Sequence, residues 1–204
     1  MNLHHDKDAF EELLIGAANE LAIPTNIIEK DYYVTIVLKS LSEKLKDMVF
    51  KGGTSLTKCY QLLDRFSEDI DISYTAESGI PGEARKRQLK NAVVATMEEL
   101  NFPITNIEDT RSRRHYNCYR AAYPSIYEQS GILKPGLVVE TYVALLPFPT
   151  AKQMVDNYIY RFLKKINRLD LAETYDLMPF AITTQTDIPS TPLFWFPVIF
   201  CPLS

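Results

Sequence analysis

The chain is poor in the residues that staple or punctuate a fold. It has three cysteines, Cys59, Cys118 and Cys201, in 204 residues. An odd, widely spaced set without a Cys-x-x-Cys pair excludes a disulfide framework and a zinc ribbon, and predicts free thiols in a reducing compartment. Histidine is equally scarce. The adjacent pair His4–His5 is expected to be solvated and idle, and His115 lies in a basic loop with no nucleophile beside it. Seven glycines and twelve prolines are too few for a low-complexity or disordered chain. No apolar run approaches the roughly 20 residues that cross a bilayer. The polar start, Met1 to Asp6, is no secretory leader. The reading is a cytoplasmic protein with no membrane partner. An excess of positive charge is also missing: 22 Lys and Arg face 26 Asp and Glu, for a net charge of -4. Any grip on a polynucleotide must therefore be local.

What remains is the periodicity of an ordinary globular domain. Phe10, Leu13, Leu14, Ala17 and Leu21 recur at helical spacing up to Pro24. A second helix is expected from about Thr25 to Leu45, with Asn26 and Glu29 spaced as a capping box and Ile28, Tyr32, Leu38, Leu41 and Leu45 as its buried stripe. The period then shortens. Met48-Val49-Phe50-Lys51 reads as a strand broken by Gly52-Gly53, Thr54 to Leu63 as a helix, and the stretch ending in Asp69-Ile70-Asp71-Ile72-Ser73-Tyr74 as a half-buried strand. A helix follows over Glu83 to Leu100. One or two strands with a basic turn are expected between Ile104 and Tyr123, a strand over Leu137 to Val143, and a helix over Val155 to Ile166.

One succession carries chemistry: strand, Gly-Gly turn into a helix, then a strand with Asp-Ile-Asp. Glycines let backbone approach a ligand closely, and the unpaired N–H groups and positive dipole end of the helix they open favour phosphate. Thr54 and Ser55 add hydroxyls. Taken alone, the pair is as well explained by a tight turn. Asp69 and Asp71, two apart on a strand, share one face while Ile70 and Ile72 take the other. Side by side they repel unless a cation stands between them, which suits Mg²⁺; taken alone they also fit a solvated edge strand. Together, turn and strand place triphosphate beside metal, as nucleotidyl transfer requires. The alternatives are weaker. A metal-dependent glycosyltransferase lacks the Gly-Gly turn one helix before its Asp-x-Asp. A dehalogenase-type phosphatase follows its own with a Gly-Thr turn, where this chain has Ile72-Ser73. A serine hydrolase needs a Gly-x-Ser-x-Gly that is absent here.

Lys51-Gly52-Gly53-Thr54-Ser55-Leu56 followed by Arg65-Phe66-Ser67-Glu68-Asp69-Ile70-Asp71, preceded by Glu29-Lys30-Asp31-Tyr32, closely resembles the signature of AbiEii-type toxin nucleotidyltransferases. The resemblance runs from about residue 10 to about residue 180. It implies an α+β, polymerase-β-like nucleotidyltransferase core, a mixed sheet flanked by helices with additional N-terminal helices. It also implies Mg²⁺ (or Mn²⁺) dependence, an NTP substrate, an RNA (tRNA among the relatives) or protein acceptor, and a toxin opposed by a cognate antitoxin in abortive infection. Carried over position by position, Gly53 and Ser55, with Gly52 and Thr54 in the same turn, bind triphosphate, and Asp69 and Asp71 bind metal. The superfamily's third carboxylate falls to Glu140, which an outward-facing strand glutamate explains equally well. Lys51 and Arg65 flank the site, against phosphate or paired with Glu68 or Asp64. The basic clusters Arg85–Lys90 and Arg111–Arg114, with Tyr116, Tyr119 and Tyr123, are candidates for an RNA acceptor or for plain solvated and half-buried positions.

The sequence departs from that family at its end. Thr183-Thr184-Gln185-Thr186-Asp187 resembles the approach to a further segment, but nothing after Asp187 matches, and four prolines surround Leu193-Phe194-Trp195-Phe196 and Val198-Ile199-Phe200. The expected division is a nucleotidyltransferase-like domain over 1–182 and a Pro-rich apolar tail over 183–204. The tail would pack on the core or on a second copy as a homodimer. A shortened, catalytically dead homologue that binds nucleotide or partner is the competing expectation.

Overall fold

A computed structural model describes residues 1–60, 66–74, 81–111, 115–127, 133–134, 136–143 and 149–186. The tail beyond residue 186, Arg65, Arg113 and Arg114 lie outside them. So does the expectation of a dimer through the tail.

The chain opens with a 3-10 turn, Leu3–His5, followed by α1 (Lys7–Leu21) and α2 (Thr25–Lys44). Asp6 caps α1 by accepting from the Ala9 N–H at 3.2 Å. Its buried stripe is Phe10, Leu13, Leu14 and Ala17. α1 packs against α2, so the period-3.6 signal reports a tertiary contact. α2 is buried around nearly its whole girth from Ile28 to Leu38, and the stripe of Ile28, Tyr32, Leu38, Leu41 and Leu45 is only part of what it hides.

The remaining elements are β1 (Met48–Lys51), α3 (Gly52–Tyr60), β2 (Asp69–Tyr74), α4 (Gly82–Glu99), β3 (Tyr116–Ala121), β4 (Leu137–Val143), β5 (Thr150–Val155), α5 (Tyr158–Lys165), α6 (Leu169–Thr174) and β6 (Phe180–Gln185). The strands form one six-stranded mixed sheet in the order β3-β4-β2-β1-β6-β5. β2 runs antiparallel to β1 and parallel to β4, and β6 runs parallel to β1. This is the expected α+β class, a mixed sheet flanked by helices. Phe50, Ile70, Ile72 and Val139 are buried and join residues of α2 and α4 in one apolar cluster. That leaves the alternate residues of the same strands, Lys51, Asp69, Asp71 and Glu140, on the other face.

Three expectations change. Asn26 and Glu29 form no capping box: α2 starts after Pro24 without a side-chain cap, and Glu29 turns inward to accept from Ser125 Oγ and the Ile126 N–H, both at 2.7 Å. The hydroxyl and backbone N–H groups of the 125–127 segment outcompete the helix end for this carboxylate. His4 is not solvated. It is buried, with Nδ1 2.8 Å from the Tyr32 hydroxyl. Val155 ends a strand rather than opening a helix. Residues 150–155 form an edge strand whose exposed Thr150, Lys152 and Met154 alternate with less exposed Ala151, Gln153 and Val155. α5 begins only after Asn157, whose side chain caps the Tyr160 N–H. Among the described residues between Ile104 and Tyr123 there is one strand, within the one or two expected, with an isolated bridge from Ile104 to Ala121 and a 3-10 turn at Ile107–Asp109. β6 lies between β1 and β5 and runs through residues 182 and 183 without interruption.

Candidate active site

Register builds the site. On β1 and β2 Lys51 stands opposite Asp71; on β2 and β4 Asp71 stands beside Glu140. Lys51, Asp71 and Glu140 therefore form one row across three strands, and Asp69 shares the face of Asp71 two residues earlier. Because β1 and β2 are antiparallel, the start of β2 meets the end of β1, where α3 begins. The acids thus lie next to the helix amino end.

Gly52 makes that approach possible. Its φ is +76°, a left-handed conformation that side-chain-bearing residues resist, and any Cβ there would overlap the Asp71 carboxylate. The turn is braced from within. Ser55 Oγ donates to the Gly52 carbonyl at 2.9 Å, Thr57 Oγ1 to the Gly53 carbonyl at 3.1 Å, and the Thr54 and Ser67 hydroxyls lie 2.9 Å apart. Thr54 and Ser55 are buried. In this structure their hydroxyls bind the protein, and the backbone N–H groups of the helix start are the donors left for an anion.

The electrostatics are those of a site short of positive charge. Burial and the neighbouring Glu140 push the Asp71 carboxyl up to about 7, against the opposing pull of Lys51, and the two carboxyls share a hydrogen bond. Burial lowers the Lys51 ammonium, while Asp71 and Glu140 act to raise it; its Nζ lies 5.1 Å from the centroid of the Tyr142 ring. Asp69 Oδ2 is taken by Lys134 Nζ at 2.5 Å, and its Oδ1 is buried without a hydrogen-bond partner.

Among the described residues no three His, Cys, Asp or Glu side chains are gathered as a finished metal cage. The donor set nonetheless fits a divalent cation. Three carboxylates, hard oxygen donors, lie on adjacent strands, one carries an orphaned buried oxygen, and two crowd each other where a cation would neutralise them.

Around this row stand residues that local motif reading did not assign to the site: Lys30, Glu68, Ser67 and Lys134. Lys30 Nζ makes an ion pair with Glu68 Oε2 at 3.0 Å and donates to the Lys134 carbonyl at 2.8 Å and to the Gly136 carbonyl. Glu68 thus pairs with Lys30. Only the Glu-Lys-Asp run on α2 hinted at this role, because three consecutive charges on a helix with apolar neighbours must find partners inside. Some positions offered to an acceptor are occupied otherwise. Lys86 is buried and pairs with Glu83 at 2.8 Å, Lys90 donates to the Thr110 carbonyl at 2.9 Å, Tyr119 is buried, and the rings of Tyr123 and Tyr33 lie 4.3 Å apart.

The model of the family described as "Nucleotidyl transferase AbiEii toxin, Type IV TA system" matches residues 36–177, a span that holds Lys51, Asp69, Asp71 and Glu140. No curated protein and no solved structure matches.

Proposed function

The chain belongs to the AbiEii family of nucleotidyl transferase toxins of type IV toxin–antitoxin systems, and from that premise we propose that it moves a nucleotide from an NTP to an RNA, tRNA included, or to a protein. We further read it as a cytoplasmic toxin held in check by a cognate antitoxin. No helix among the described residues is long and apolar enough to cross a membrane. The observation that carries the reading is the cross-strand row Lys51–Asp71–Glu140, with Asp69 beside it, at the amino end of α3.

In this reading the first turn of α3, over Gly52 and Gly53, receives the triphosphate on its backbone N–H groups. Lys51 supplies positive charge beside it. Asp69, Asp71 and Glu140 hold the cation. A divalent cation, Mg²⁺ or Mn²⁺, held by these carboxylates would supply positive charge against the α-phosphate and the departing pyrophosphate. The acceptor's hydroxyl oxygen forms a bond to the α-phosphorus, the bond to the β-phosphate oxygen breaks, and the hydroxyl proton passes to a carboxylate oxygen of the Asp71–Glu140 pair.

Calorimetric titration of each NTP with Mg²⁺, set against an Asp69→Asn, Asp71→Asn double variant, tests the site. Incubation with labelled NTP and total RNA or protein tests transfer. Metal-dependent binding lost in the double variant, together with label retained on an acceptor, supports the reading. Binding without consumption would favour a nucleotide-binding homologue without activity, and no binding would remove the reading.

A further inference from the structure

Among the described residues, Lys134 reaches the acidic face from outside the motif strands, and its two ends are held very differently. Its backbone is fixed. The N–H donates to Glu68 Oε1 at 2.9 Å and the carbonyl accepts from Lys30 Nζ at 2.8 Å. Lys30 is 1% exposed and Glu68 11%, so both anchors are interior groups. Two residues on, Gly136 has φ +68°, and a Cβ there would come within 2.5 Å of the Ala121 carbonyl oxygen, which sets the turn into β4. The side chain, in contrast, is 53% exposed and ends on Asp69 Oδ2.

Resting on the nucleotidyltransferase reading above, the geometry points to Lys134 as an exchangeable counter-ion. Its ammonium caps Asp69 until a metal–triphosphate arrives, then leaves that carboxylate to the cation and takes a phosphate oxygen of the nucleotide. The argument is electrostatic. An ammonium and a divalent cation compete for the same carboxylate oxygen and repel each other there. Once displaced, the ammonium cannot drift away, because Glu68 and Lys30 hold its root beside the site; the anion then within reach is the triphosphate. Lysine suits such an exchange, being a point charge on a flexible stem. The consequence is thermodynamic. Metal alone binds against Lys134, whereas metal with nucleotide binds with its help, so the two ligands are positively coupled.

The test measures Mn²⁺ binding without nucleotide, and Mg²⁺–NTP binding, on the full chain as natural protein, Lys134→Met and Lys134→Arg. Methionine keeps the length and removes the charge. The expected result is that Lys134→Met binds Mn²⁺ alone about tenfold more tightly and Mg²⁺–NTP about tenfold more weakly, within the usual range of coupling between sites. Lys134→Arg returns both toward the natural values. Unchanged affinities in Lys134→Met overturn the inference. So does a parallel loss of both affinities with a lowered unfolding midpoint, which would mean the side chain only holds the loop together. If the natural protein binds Mg²⁺–NTP but Lys134→Met behaves identically, this inference alone falls; if the natural protein binds neither ligand, the nucleotidyltransferase reading falls with it.

Discussion

Two groups of charges lie within a few residues of the same core, and they are treated in opposite ways. On α2, Glu29, Lys30 and Asp31 are buried, and each is saturated by partners. Glu29 takes the 125–127 segment, and Lys30 takes Glu68 and the carbonyls of residues 134 and 136. Asp31 takes Lys58 Nζ at 2.6 Å and the Tyr158 N–H at the start of α5 at 3.0 Å. Lys58 is itself completed by Thr35 Oγ1 at 2.8 Å. On the sheet face, Asp69 keeps an orphaned oxygen, and Asp71 and Glu140 press two acids together with Lys51 alongside. Residue types are similar, so they do not separate structure from function, and burial does so only by degree, the α2 trio being buried and the sheet-face acids half-buried. Completeness of partnering does: a saturated buried charge fixes elements to one another, and an unsaturated one waits for a ligand.

The widest separation of the two groups comes from neutralising each in turn. Asp69→Asn with Asp71→Asn is expected to lower nucleotidyl transfer by on the order of a thousandfold or more, since a metal's charge stabilisation amounts to several kcal/mol and each 1.36 kcal/mol is tenfold. The urea midpoint of this variant at pH 8 without metal should stay level or rise, because repulsion between acids is relieved. A fall in that midpoint would place the two aspartates with the structural charges and break the comparison. Lys58→Met is the opposite case. It strands Asp31 beneath α3 and should cost about 3–5 kcal/mol in urea denaturation. Lys58→Met with Asp31→Asn should recover part of that loss, as a coupled pair does; equal losses in the single and double variants would deny that the pair acts as a unit.

The difference between the groups also decides what could be read from the sequence. Helices α1 to α4 and strands β1, β2 and β4 follow from local period and composition, because each has a face that is apolar in sequence and buried in space. The row Lys51–Asp71–Glu140 was reachable in its members, since the Gly-Gly turn and Asp-x-Asp are short motifs with strong steric and electrostatic reasons. Its register was not, for nothing local says that β4 lies beside β2 or that Glu140 meets Asp71. Lys134 meets Glu68 across 66 positions of sequence and Lys30 across 104, so only the folded chain shows Lys30, Glu68 and Lys134 as one chain of contacts. β5 was lost because Thr-Ala-Lys-Gln-Met-Val carries little apolar alternation, being an edge strand with one face wet. The Asn26–Glu29 spacing yields no capping box because spacing cannot tell a helix end from a partner distant in sequence that binds the same carboxylate better.

Acidity offers a finer test of the sheet face. The Asp71 carboxyl is raised from 3.8 to about 7, by burial first and Glu140 second. A raised acid stabilises the fold in full below its ordinary value and loses that contribution as pH rises through about 7. In the absence of metal, natural protein should therefore lose stability relative to Asp71→Asn between about pH 4 and pH 8. Added Mg²⁺ should restore more at pH 8 than at pH 5.5, since it replaces the missing proton. Paired thermal melts across this window read the difference. Parallel curves for the two proteins would mean that Asp71 ionises as an ordinary carboxylate and that the acids on this face do not need a cation.

The smallest effect lies at the chain's beginning and checks that partnering, rather than distance from the sheet, is what matters. His4 is lowered to about 4, by burial first and by His5 second, and its backbone N–H and Nδ1 both meet the Tyr32 hydroxyl, at 3.3 and 2.8 Å. A base held below its ordinary value contributes stability that is present above 6.5 and lost as pH falls through about 4. His4→Ala should cost about 1 kcal/mol at pH 7, the usual net worth of one buried hydrogen bond, and the gap to natural protein should close as pH approaches 4. Nucleotide and metal affinities should not move at either pH, because His4 lies in an aromatic cluster with Tyr32, Phe10, Tyr33 and Phe102 and contributes nothing to the acidic row. A shift in metal affinity with His4→Ala would show that α2 transmits the state of its amino-terminal anchor to Lys30 and from there to the acidic face, and the division between saturated and waiting charges would then describe one linked network.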